Sequence, residues 1–215
     1  MSDDHEQIVV RRRKLAALRE QGANPYPNDF RPDLTSTEVL ARCGELDAEA
    51  LAQLPAVRIA GRVVAVRDFG KAGFLRVQDR TGVIQVHARR DRLDEATFAM
   101  YRGLDTGDTI GVVGKPFRTR TNELTLEASE LRLITKGLRP LPEKWHGLTD
   151  VDTRYRQRYV DLVVNADARR IFEKRTRAIR YLRDRLAERG FLEVETPVMQ
   201  PIAGGAAARP FVTHH

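Results

Sequence analysis

The sequence predicts an α+β chain: helices first, a five-stranded β-barrel in the middle, and helices again at the end. Three observations predict it. The apolar period changes from helical to two at Ala56. Five strand-like segments follow, with one helical stretch between the third and the fourth. A helical pattern then returns at Tyr155 and resumes after Asp167 to run to Arg189. The 215 residues suffice for one large domain or two smaller ones, and 41% apolar content supports an ordinary core.

Ile8 to Gln21 reads as a helix closed by Gly22, with Ile8, Leu15 and Leu18 at helical spacing. It carries Arg11, Arg12, Arg13, Lys14 and Arg19. Such a run is either a solvated face or a basic arm for a nucleic-acid backbone. Asn24-Pro25-Tyr26-Pro27 breaks regular structure, and one further helix is expected from Ser36 to Gln53.

Val57, Ile59 and Val63 mark the first strand, Phe74 to Asp79 the second and Val83 to Ala88 the third, with Asp79-Arg80-Thr81-Gly82 as the turn between the latter two. Asp91 to Gly103 reads as helix, and Asp108 to Phe117 and Glu123 to Ile134 as the last two strands. This is the element order of an OB-fold barrel, although another five-stranded topology fits the same pattern. Leu138-Arg139-Pro140-Leu141-Pro142 suits neither helix nor central strand. Asp167 is the expected cap of the last helix, whose Phe172, Ile179, Leu182 and Leu186 lie near one face. Gly190 is its expected left-handed terminus, with Phe191 packing back on the last turn and a short strand following. The expected domains are an N-terminal helical extension (1–55), the barrel (56–135), a linker (136–150) and a helical C-terminal part (151–215), with residues 56–134 folding without the rest.

The net charge of +7 is compatible with an anionic partner. The single cysteine, Cys43, can build neither a disulfide framework nor a zinc site and fits a reducing cytoplasm. No window approaches a membrane span, and there is no Walker A or Gly-x-Gly-x-x-Gly motif. In the second strand Leu75 and Val77 alternate with Phe74, Arg76 and Gln78; in the third, Ile84 and Val86 alternate with Gln85 and His87. With the aliphatic set inside, the outer face presents rings, guanidinium groups and amides. Single-stranded nucleic acid needs that combination: a ring to stack a base, an amide to meet a base edge, a cation for phosphate.

The stretch Gly190-Phe191-Leu192-Glu193-Val194-Glu195-Thr196-Pro197 after a long helix resembles motif 1 of the class II aminoacyl-tRNA synthetases, and Gly204-Gly205-Ala206-Ala207-Ala208-Arg209-Pro210-Phe211 resembles their lysine-specific branch. Thr153 to Leu162 and Leu131 to Pro142 resemble the family's linking segments. The resemblance implies an anticodon-binding OB domain in which Phe74 stacks on a base, Gln85 reads one, and Arg67 and Glu123 add contacts to a U-rich lysine anticodon. It implies a lysine-binding loop at Gly204 and Gly205 and a homodimer interface near Pro197; the basic-arm reading of Arg11, Arg12, Arg13 and Lys14, made from their charge, would then be contact with the tRNA backbone. Residues 151–215 would then be the start of the class II α/β catalytic domain. The implied reaction is ATP- and Mg²⁺-dependent attachment of lysine to tRNA-Lys. The family's motifs 2 and 3, which hold ATP, are not in these residues, so the resemblance implies an N-terminal part with no catalytic residue, no metal site and no bound cofactor of its own. A stand-alone tRNA-binding protein built from the same anticodon domain is the alternative.

Overall fold

A computed structural model describes residues 3–142, 148–198, 211, 213 and 214. The chain divides into two compact units, residues 1–145 and 146–215.

The first unit is built around strands β1 (Val57–Asp68), β2 (Ala72–Gln78), β3 (Val83–Arg89), β4 (Thr109–Arg118) and β5 (Leu124–Thr135). They close into a barrel in the order β1-β2-β3-β5-β4, with β1 returning to β4. The β3–β5 pairing is parallel and the others antiparallel. This order fixes the OB-fold among the five-stranded topologies the sequence allowed. Strand β1 is long because it serves two neighbours, pairing β4 over residues 57–62 and β2 over residues 62–68. A bulge between Val63 and Ala65 bends it where it passes from one to the other. The alternation resolves as expected: Leu75, Val77, Ile84 and Val86 are buried with Ile59, Val63, Ile110, Val112 and Leu126, while Phe74, Arg76, Gln85 and His87 between them are half-buried or exposed.

Helix α4 (Glu95–Arg102) lies between β3 and β4 in sequence, capped by the Asp94 carboxylate, which accepts from the Thr97 amide at 2.8 Å. It packs Phe98 and Tyr101 into the core. A Cβ on Gly73 would lie 1.9 Å from the Tyr101 hydroxyl and 2.5 Å from the Arg67 carbonyl, so only glycine lets the helix approach β2 beside Phe74. Burial pushes the Tyr101 hydroxyl up to about 12.

Helix α1 spans Asp3–Glu20, beginning earlier than expected. At its end the Ala23 amide donates to the Leu18 carbonyl and Gly22, at φ 75°, to that of Arg19, the paired bonds of a Schellman terminus. The single helix expected from Ser36 to Gln53 is two, α2 (Ser36–Cys43) and α3 (Ala48–Gln53). The break has a local cause: the Asp47 carboxylate accepts from the Ala50 amide at 2.8 Å and starts a new helix. Arg118 of β4 donates to the Leu46 carbonyl in the same break. Val39, Cys43 and Leu51 join the barrel core, so these helices are part of the folding unit.

The second unit contains α5 (Val151–Arg156), α6 (Arg158–Val164) and α7 (Ala166–Ala187). They meet at the buried Asp161 carboxylate, which accepts from Arg154 Nε at 2.9 Å, Asn165 Nδ2 at 2.6 Å and the Arg158 guanidinium. Burial pushes this carboxyl up, but the Asn165 and Arg154 hydrogen bonds and the two guanidinium charges outweigh it and hold it below its ordinary value. Arg158 also lies over the rings of Tyr155 and Phe172, at 4.7 and 5.3 Å. The cap of α7 is Asn165 rather than the expected Asp167; its side chain makes no capping bond, and its Nδ2 donates to Asp161 and to the Leu148 carbonyl. Gly190, at φ 83°, donates to Ala187, and Phe191 donates to Leu186. The Phe191 ring does not pack back as expected; it is 62% exposed. Nor do residues 191–198 form the expected strand. A strand exists through a neighbour's hydrogen bonds, and no described residue offers that segment an edge. Glu193 instead accepts from Arg183 Nε at 2.9 Å.

Candidate nucleic-acid interface

The barrel register places the candidate residues on two adjacent rungs of one outer face. Arg67 pairs with Phe74, Phe74 with His87, and His87 with Glu127. One rung away, Arg76 pairs with Gln85, Gln85 with Thr125, and Thr125 with Phe117. Arg67, Phe74 and Gln85, from three different strands, are thus brought together. Glu123 stands beside them just before β5, its carboxylate 3.5 Å from the Arg76 guanidinium.

The rings form a row. Phe74 stacks on His87 with centroids 4.4 Å apart and planes at 13°. His87 meets Phe117 at 5.8 Å and 38°. Phe69, just past the end of β1, meets Phe74 edge-on at 6.3 Å and 79°. His87 is held below its ordinary pKa by burial and by the Arg89 charge, against the opposing pull of Glu127 and Asp91. Its Nδ1 is buried with no hydrogen-bond partner among the described residues. A neutral imidazole is the form that packs as a flat ring between two phenyl groups.

Gln85 is oriented by a relay: its Nε2 donates to Thr125 Oγ1 at 3.0 Å, and that hydroxyl donates to the Glu123 carbonyl at 3.2 Å. The Gln85 side chain is half-buried, and its amide oxygen accepts no hydrogen bond among the described residues. Chemically the face offers rings for base planes, an oriented amide for a base edge, and the exposed Arg67 and Arg76 for phosphates. His87 followed from the alternation in β3. Phe117 and Thr125 had no local signal, because only the non-local pairings of β5 with β3 and β4 bring them beside Gln85.

The basic helix does not act as one group. Arg11 is buried, donating to the carbonyls of Thr106 at 2.8 Å and of Gly137 and Arg139 at 3.3 Å. Lys14 donates to Asp105 at 2.7 Å. The expectation that all four cations contact an RNA backbone is corrected for Arg11: at 6% exposure, with Nη1 committed to three carbonyls, its guanidinium is not presented to a phosphate. Arg12 and Arg13 remain exposed. The beginning of the expected linker is also anchored, with the buried Lys136 donating to Asp105 at 2.6 Å and to Asp108 at 2.7 Å.

Pro197 lies in the exposed segment after α7, outside any strand. Gly204 and Gly205 lie outside the described residues. Among the described residues no group of three or more His, Cys, Asp or Glu side chains is placed to hold a metal ion, and no helix is long and apolar enough to cross a membrane.

Residues 57–134 match the family of OB-fold nucleic acid binding domains, and residues 150–215 match the family of class II tRNA synthetases for D, K and N. A lysine–tRNA ligase of Magnetococcus marinus is 49% identical over 215 residues, covering 99% of this chain and 43% of the relative. Lysine–tRNA ligases of Pasteurella multocida and Dehalococcoides mccartyi are 51% and 50% identical, over 99% and 94% of this chain and 43% and 41% of theirs. The chain therefore spans less than half the length of these relatives, and over that span it belongs to the lysine-specific family of class II aminoacyl-tRNA synthetases.

Proposed function

We propose that the barrel binds the anticodon loop of a lysine tRNA, as the recognition part of a lysine–tRNA ligase acting in the cytoplasm. The observation that carries this is the ring row Phe69–Phe74–His87–Phe117 running beside the oriented amide of Gln85. Stacking supplies affinity for any base; the Gln85 amide oxygen can accept from an N–H on a base edge, which uracil N3 can donate. Arg67 and Glu123 flank the platform, and Arg12 and Arg13 supply charge at a separate part of the unit.

The family reaction joins lysine to tRNA through an adenylate made from ATP. ATP and Mg²⁺ would supply activation chemistry, but the described residues contain no acidic cluster for the ion. No step of the reaction is assigned to them. What this part contributes is positioning of the tRNA, together with α7 and the segment after it as a surface for a second copy of the chain. Leu182, Leu186, Phe191 and Val194 are exposed there. That apolar exposure favours a part of a larger ligase over a stand-alone tRNA-binding protein.

The test is binding of a labelled RNA hairpin with a UUU loop against the same stem with a scrambled loop, at one stated salt concentration. Tighter binding of the UUU hairpin is expected; equal affinity would remove the anticodon assignment and leave a general RNA-binding surface.

A further inference from the structure

We propose that Phe69 is the second wall of a base-stacking slot whose first wall is Phe74. The inference rests on the reading of the barrel face as an RNA platform and adds a residue to it. Phe74 has two faces. His87, on β3, covers one at 4.4 Å and 13°. Phe69 follows β1, on the opposite side of β2, and meets Phe74 edge-on at 6.3 Å. A base can therefore stack only on the β1 side, where the Phe69 ring stands.

The separation suits the purpose. A base held between two rings needs their centroids about 7 Å apart, twice the roughly 3.5 Å carbon–carbon contact distance. The present 6.3 Å is close to this, so turning the Phe69 ring from edge-on to parallel opens the slot with little displacement. That rotation is free of packing constraints, since Phe69 is 69% exposed. Its backbone is fixed in contrast: the Phe69 amide donates to Ala72, the Phe69 carbonyl accepts from Lys71, and the Asp68 carboxylate accepts from the Gly70 amide at 2.8 Å. Asp68 is itself paired with Arg102 of α4 at 3.3 Å. A large exposed ring on a held hairpin gains nothing for the fold. Arg67 and Lys71 stand on either side of it, both exposed and without a hydrogen bond or ion pair from their side chains among the described residues. They put positive charge where the phosphates flanking a slotted base would lie.

The experiment measures affinity of the 215-residue chain for the UUU hairpin by fluorescence anisotropy, with Phe69→Ala, Phe69→Trp, Phe74→Ala and the double variant Phe69→Ala/Phe74→Ala. Phe69→Ala should weaken binding about fivefold or more, the lower end of one lost base stack. Phe69→Trp should restore it, which a merely structural role would not produce. The double variant should lose less than the product of the single losses, because both walls hold one base. Unchanged or tighter binding by Phe69→Ala, with Phe74→Ala still weakened, would overturn the slot and leave the platform standing. Unchanged binding by both single variants would overturn the platform as well. Thermal melting checks that each variant is folded.

Discussion

Phe74 and His87 are register partners on β2 and β3, and their rings lie parallel at 4.4 Å. The pairing explains how an aromatic ring on an outer barrel face can be both solvent-accessible and fixed. The imidazole fills the space behind the phenyl ring, and Phe117 closes the far side of the imidazole. The fixed ring loses little entropy when a base stacks on it.

Phe74→Ala should weaken binding of the UUU hairpin by about 1–3 kcal/mol, the scale of one base stack. His87→Ala should weaken it by less, because it removes support and not contact, and His87→Phe should leave it near wild type. Titration of labelled hairpin with the three variants at one salt concentration checks this; equal losses for Phe74→Ala and His87→Phe would refute the supporting role.

His87 also predicts a pH dependence. Its folded pKa is depressed, so between that value and the unfolded value of about 6.5 the unfolded chain binds more protons. Stability is then unaffected above about pH 7 and falls as pH drops through 6.5 toward the folded value. His87→Phe should remove that part of the slope. The charged groups facing the imidazole are Arg89, which lowers its pKa, and Glu127 and Asp91, which raise it. Melting temperature against pH for the two proteins decides it.

The cations of α1 should separate into two kinds. Arg11→Ala should cost about 2 kcal/mol in stability, the range for charge-assisted hydrogen bonds, and leave the salt dependence of RNA binding unchanged. Arg12→Ala and Arg13→Ala should leave the melting temperature unchanged and each lower the slope of log affinity against log salt by up to about 0.7. Urea denaturation paired with binding at several salt concentrations distinguishes the two.

Lys136→Met should be strongly destabilising, by about 3–5 kcal/mol, because it strands the fully buried Asp108 carboxylate. Asp105 adds an acid limit. Burial pushes its carboxyl up, but Lys136 and Lys14 outweigh that and hold it below its ordinary value. A depressed carboxylate stabilises the fold above its unfolded pKa of about 3.9 and loses that contribution as pH falls through the folded value. Acid unfolding should shift to higher pH in Lys14→Ala, which removes one of the two cations; an unchanged acid midpoint would count against the cluster.

The two units should differ in resistance to protease. Residues 6–142 bury one shared core that includes α2 and α3, so the protected fragment should extend beyond the barrel strands to include those helices. The exposed segment after α7 should be cut first, and size-exclusion chromatography should show self-association that cleavage abolishes. The same preparation should show only background lysine-dependent ATP–pyrophosphate exchange. A monomer resistant along its whole length would contradict the first expectation, and clear exchange the second.

Local chemistry was enough to locate the strands, the helix between the third and fourth, and the glycine ends at Gly22 and Gly190, because period, caps and turns act within a few residues. The alternation in β2 and β3 also placed Phe74, Gln85 and His87 on one outer face. Tertiary structure decided what depends on distant partners. The parallel pairing of β3 with β5 brought Thr125 under Gln85, across forty positions of sequence. Pairing of β5 with β4 added Phe117 to the ring row. Arg11 looked like its neighbours Arg12 and Arg13 until the loop before β4 and the segment after β5 supplied the carbonyls that bury it. Residues 191–198 carry strand-like chemistry and form no strand, since a strand is completed only by the edge of another.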